Sequence, residues 1–175
     1  MFKTNFAKSS HDFTTIVFPL CQEELGGGRI IAAEGNPDEI ARILDVDCGI
    51  DYLQRLPDGG TRAIAARVQW DIVYESFTVR YGRNGSDNTE YRKRRRDIAR
   101  DYIYPDTTVQ AFLADGQMVA GIIKTKALYE YAEHFLREHD PTIRDNGDGT
   151  TFFAAWWGSI QDHDYEMTII RRAIP

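Results

Sequence analysis

Asp47-Cys48-Gly49-Ile50-Asp51 leads into residues 52–56, and across Pro57-Asp58-Gly59-Gly60 the chain returns as Arg62-Ala63-Ile64-Ala65-Ala66-Arg67-Val68-Gln69. The Pro-Asp-Gly-Gly bend is strong turn chemistry, so residues 50–56 and 62–70 read as a β-hairpin. Side chains alternate along a strand. Ala65, Arg67 and Gln69 therefore share one face, and Ile64, Ala66 and Val68 take the other. Asp51 stands at the start of the neighbouring strand. Its carboxylate and the Arg67 guanidinium are expected to converge over one surface of the sheet.

Before the hairpin, residues 37–46 form a helix. Asn36 is its expected cap, Pro37 occupies the first turn, Glu39 completes a capping-box-like pattern, and Ile40, Ile43 and Leu44 make an apolar stripe. After the hairpin, Phe77, Val79 and Tyr81 alternate with Thr78 and Arg80, a strand over 76–81. Ser86 or Asp87 would cap a helix that ends before Pro105. Strands are expected over 107–113 and 118–123 around an Asp115-Gly116 turn. Thr125 opens a helix to about residue 138 that buries Leu128, Tyr131, Ala132 and Phe135. Strands over 152–159 and 166–174 close the chain. This order predicts a single α/β (α+β) domain over 1–175 with a central mixed sheet flanked by helices.

Composition narrows the class. Of 175 residues, 42% are hydrophobic, enough for a core, and the net charge of −6 excludes nucleic-acid binding by bulk charge while allowing a local patch. No apolar run approaches a membrane span, and residues 1–10 carry Lys3 and Lys8 without a signal-peptide core. Two cysteines, Cys21 and Cys48, make no disulfide framework. A reduced, cytoplasmic protein is expected.

The residues Asp47, Gly49, Ile50 and Asp51, with Ala65-Ala66-Arg67 following, resemble the PD-(D/E)xK, or restriction-endonuclease-like, superfamily, and most nearly the Mrr-type enzymes. Their hairpin reads Asp-x-Gly-Ile/Val-Asp and later Gln-x-Lys. The likeness covers about residues 36–112, with 118–175 extending that core. It implies metal-dependent phosphodiester hydrolysis, with Mg²⁺ or Mn²⁺ as cofactor, Asp47 and Asp51 as metal ligands, and Asp51, Arg67 and Gln69 as catalytic residues. Carboxylates would hold the hard cation while a positive group stabilises developing charge. The chain departs from the pattern twice. Ala65 stands where an oxygen ligand belongs, and Arg67 stands for the lysine, although a guanidinium neither gives nor takes a proton at ordinary pH. Asp45, Glu39 and Glu75 are further acids that could rebuild the set.

Arg92-Lys93-Arg94-Arg95-Arg96, with Arg100 a turn beyond, concentrates positive charge in an otherwise acidic chain. With Arg80, Arg83 and the interleaved tyrosines 81, 91, 102 and 104, this run reads as a nucleic-acid-binding surface, for DNA more than RNA. Its structural alternative is a face neutralised by the protein's own acids. Two further functional readings stand beside the nuclease. One is a degenerate nuclease-like binding module, such as a phage or mobile-element accessory or inhibitor protein directed at nucleic acid or a host protein. The other is an oligomer, such as a homodimer, or a protein-binding inhibitor. Gly26-Gly27-Gly28, the pair His134 and His139, Cys48, and the Asp145/Asp148 loop each match a functional motif too poorly to carry a site.

Overall fold

The computed structural model describes residues 2–83, 89–138, 143–145, 147 and 149–175. The hairpin is present: β2 (Tyr52–Arg55) and β3 (Thr61–Trp70) pair antiparallel, with Tyr52 opposite Ile64 and Arg55 opposite Thr61. The Asp58 carboxylate accepts from Gly60 N at 2.7 Å and the Gly60 carbonyl from Leu56 N at 2.9 Å, which fixes the bend. Before β2, β1 (Arg29–Ala32) adds to its free edge. On the other side, β3 runs parallel to β5 (Thr107–Ala114), which forms a hairpin with β6 (Gln117–Lys124); β9 (Met167–Ala173) closes the sheet. The order β1-β2-β3-β5-β6-β9 is a mixed six-stranded sheet, as the α/β reading requires. A second sheet, in the order β4-β8-β7, consists of β4 (Ser76–Arg83), β7 (Arg144–Asp145) and β8 (Thr150–Trp156).

The helices are α1 (Phe2–Asp12), continued by wider π-helical turns over Phe13–Val17 and a short α2 (Phe18–Leu20); α3 (Glu39–Arg42), continued likewise over Ile43–Asp47; α4 (Glu90–Ala99); α5 (Thr125–Glu138); and α6 (Trp157–Asp162). Two expected caps move. Asp38, rather than Asn36, caps α3, accepting from the backbone of Ile40 and Ala41, while Asn36 accepts from Asp38 N. Thr89 caps α4; Ser86 and Asp87 lie outside the described residues, as do His139 and Asp148. The strand expected over 152–159 stops at Trp156. Trp157 and Ile160, three apart, are both buried, so the chain gains a helical turn there.

The N-terminal helix has no counterpart in the sequence reading. Its Ser9, Ser10, Thr14 and Thr15 are poor helix formers, and contacts with the sheet hold it instead. Ser9 Oγ accepts from Val68 N at 3.1 Å, Asp12 accepts from Trp70 Nε1 at 2.8 Å, and Phe13 stacks on Tyr52 with ring centres 4.6 Å apart. Phe13, Val17, Phe18 and Leu25 cover one sheet face, made of Ile64, Val68, Val109, Ala111, Met118 and Ala120. The opposite face carries Phe112, Val119 and Ile123 under Phe77, Val79, Phe153, Leu128 and Trp157. Three layers result, with two cores either side of one sheet.

Gly121 on β6 lets the second layer come down. A β-carbon there would lie 2.6 Å from the Trp157 ring. Gly121→Ala is expected to cost about 2 kcal/mol through overpacking, read as a lower urea midpoint with unchanged slope. A variant as stable as the parent would contradict this packing.

Candidate functional site

The β2–β3 pairing ends at Tyr52, opposite Ile64, but β3 continues past it, which leaves the amides of Ala66 and Val68 without a strand on that side. Asp51 fills the first of these gaps. Its own N–H donates to the Ile64 carbonyl at 2.9 Å, and its Oδ2 accepts from Ala66 N at 2.6 Å. Ser9 fills the second. The carboxylate thus completes a hydrogen-bond ladder at the same time as it faces the site.

Asp51 and Arg67 line one cavity of about 300 Å³. Its floor is the face of β3 and β5 that carries Ala65, Arg67, Thr108 and Gln110, in the alternation read from the sequence. Four consecutive residues, Phe77 to Arg80, line its wall, which only the unpaired edge of β4 can present. The first turns of α4 and α5 contribute Glu90, Thr125, Leu128 and Tyr129. Gly49, with φ of +62°, lies at the rim, where a β-carbon would stand 2.4 Å from the Arg94 guanidinium. Arg94 is buried and donates to the Cys48 carbonyl at 2.6 Å, so α4 is tied to the Gly-Ile-Asp turn.

Acids flank Asp51 on its other side. Its pKa rises from 3.8 to about 7, chiefly because burial disfavours the charge; the Ala66 N–H opposes this, the neighbouring Glu34 and Asp45 add to it, and Arg67 opposes it. Burial raises Glu34 and Asp45 as well, with Asp45 adding to the shift on Glu34. Asp47 stands apart. It is exposed and borders a separate depression with Cys48, Arg96, Asp97 and Asp101. Gln69, two residues beyond Arg67, lies past the cavity, and Glu75 pairs with Arg171.

The cation implied by the resemblance meets a poor donor set. Ala65 offers no oxygen, one Asp51 oxygen is committed to Ala66 N, and among the described residues no three acids, histidines or cysteines come together to hold an ion. These residues do not fit a resident Mg²⁺ or Mn²⁺.

The basic helix is largely engaged by its own protein. Lys93 donates to the Val46 carbonyl at 2.9 Å, Arg94 holds Cys48, Arg95 pairs with Glu133 at 2.6 Å and meets the Tyr91 hydroxyl, and Arg96 pairs with Asp97 at 3.1 Å. Arg92 is exposed, and Arg100 lies over the Tyr102 ring at 5.9 Å. Arg80 lines the cavity, and the Arg83 side chain lies outside the described residues. Cys48 has its thiol raised chiefly by burial, the wrong direction for a nucleophile.

Sequence reasoning missed Glu34 and Gln110. Glu34 lines a separate groove with Ser10 and Thr14, but it acts electrostatically on Asp51 because its N–H and that of Ala33 bond the Asp51 carbonyl at 3.1 and 2.8 Å, where the chain leaves β1. Gln110 is the one long polar side chain in residues 107–114, an otherwise small or apolar run, and that was its one signal. No family model matches this chain, and neither a curated protein nor a solved structure matches it significantly. Among the described residues no helix is long and apolar enough to cross a membrane.

Proposed function

We propose that the chain binds nucleic acid, DNA more than RNA, through this cleft, on a nuclease-like scaffold whose hydrolytic set is incomplete. The observation that carries the reading is the shared cavity. Asp51 and Arg67 line it together over one sheet face, and Ala65, which lines it too, brings no oxygen. Arg67 and Arg80 supply cations at the cavity, Arg67 within electrostatic reach of Asp51 and Glu34. They would pair with backbone phosphates, and displaced counterions would make the affinity depend on salt. The exposed Arg92 and Arg100 extend the positive surface outside.

Fluorescence anisotropy with labelled DNA and RNA oligonucleotides tests this. Binding is expected to weaken steeply between low and physiological salt, and Arg67→Ala is expected to weaken it about tenfold through loss of one charge-assisted contact. Absence of affinity at low salt would defeat the reading. Strand cleavage that requires Mg²⁺ or Mn²⁺ and disappears in Asp51→Ala would replace it with the enzyme.

A further inference from the structure

The face of β5 that floors the cavity carries a donor with no acceptor among the described residues. Gln110 is 2% exposed, lines the cavity, and has a buried Nε2 without an acceptor among the described residues. A buried amide left so costs free energy, and an acceptor-rich ligand would recover it. Gln110 is the direct cross-strand neighbour of Arg67, on the same face. Thr108 and Thr125 lie alongside with their hydroxyls 2.8 Å apart; one donates to the other, which leaves the second proton for a ligand. The N-terminal ends of α4 and α5, 10 and 14 residues long, border the same space and favour negative charge there.

Resting on the nucleic-acid reading, we propose that the cleft is a subsite for a phosphate monoester, at a nucleic-acid chain end or on a free nucleotide, held between the Gln110 amide and the Arg67 guanidinium. Charge separates a monoester from the internal diester. Arg67, Arg80 and Arg94 face Glu90 and Asp51 across the cavity, a positive surplus of one, or of two with Asp51 protonated. A monoester carries about −1.5 to −2 near neutral pH, a diester only about −1. The acids Glu34 and Asp45 lie on the Asp51 side of β3 and Gln110 on the β5 side, with Arg67 between, so the anion is kept from the acidic end. The volume of about 300 Å³ is at the small end for ligand sites and suits one nucleotide rather than a threaded strand.

The test is a competition measurement against a labelled short single strand. Competitors are the same strand with a 5′-phosphate, with a 3′-phosphate, and with hydroxyls at both ends, then a circular single strand, adenosine 5′-monophosphate and inorganic phosphate. A terminal phosphate is expected to improve competition about tenfold. Gln110→Leu and Gln110→Glu are expected to abolish that preference, and Gln110→Leu to keep its unfolding midpoint, since it removes an unpaired buried amide. Competition by adenosine monophosphate equal to that of a phosphorylated strand assigns the site to free nucleotides; a clear preference for the strand assigns it to chain ends. Equal competition by phosphorylated, hydroxyl-ended and circular strands overturns the monoester subsite and leaves nucleic-acid binding standing. Direct binding of adenosine monophosphate, read by isothermal titration calorimetry, without affinity for any strand does the reverse. A preference that survives both Gln110 variants also overturns the assignment.

Discussion

Asp51→Asn is expected to be more stable than the parent chain above pH 7 and to match it near pH 4. The acid's pKa rises from 3.8 to about 7 on folding, so the folded state keeps a proton that the unfolded chain gives up across that interval. Stability from the protonated group is complete below pH 4 and is lost as pH climbs through 7. At about 1.36 kcal/mol per pKa unit the loss is roughly 4 kcal/mol at most, and about half that once solvent in the cavity screens the charge. Asparagine retains an oxygen for the Ala66 N–H and carries no charge to bury, so the difference between the two chains should open over the same interval. Urea unfolding of both proteins at pH 4, 6 and 8 reads it directly. An asparagine variant less stable than the parent at pH 8 would mean that Arg67 and the ladder, not burial, govern this carboxylate.

Arg94→Ala is expected to lower stability by about 3 kcal/mol, where Arg100→Ala, a turn beyond the run, costs about 0.5 kcal/mol or less. Arg94 is 6% exposed, donates to the Cys48 carbonyl at 2.6 Å and contacts the turn at Gly49. Truncation strands that carbonyl and removes the tie between α4 and the site's rim. Lysine would restore the charge but not the planar fork, so Arg94→Lys should recover only part of the loss. Thermal or urea unfolding of the three variants checks the ranking. Equal, small losses at positions 94 and 100 would show that the run is a uniformly solvated surface.

That contrast also marks where the sequence was readable. The basic run and Arg100 a turn beyond it signal charge, but nothing in them tells Arg94, turned inward, from Arg100, turned out; the difference comes from which side of α4 meets the Gly-Ile-Asp turn. Elements whose cause is local were legible. The Pro-Asp-Gly-Gly bend, the Asp115-Gly116 turn and the apolar stripe of α5 each carry their own instruction within a few residues. The N-terminal helix was not legible, because its serines and threonines favour no helix until β3 offers Val68 N–H and Trp70 as partners. The same holds within the site. Asp51 and Arg67 could be paired from strand alternation across one turn, whereas Glu34 depends on β1 joining the sheet and Gln110 on β5 lying beside β3, both set by contacts distant in sequence.

The double duty of Asp51 reaches beyond this chain. An acid that ends a strand ladder is selected by folding whether or not it ever meets a substrate, and a scaffold that has shed its chemistry can keep the residue for carpentry alone. In this chain the Gly-Ile-Asp turn is therefore first a joint, closing β3 where β2 no longer reaches it.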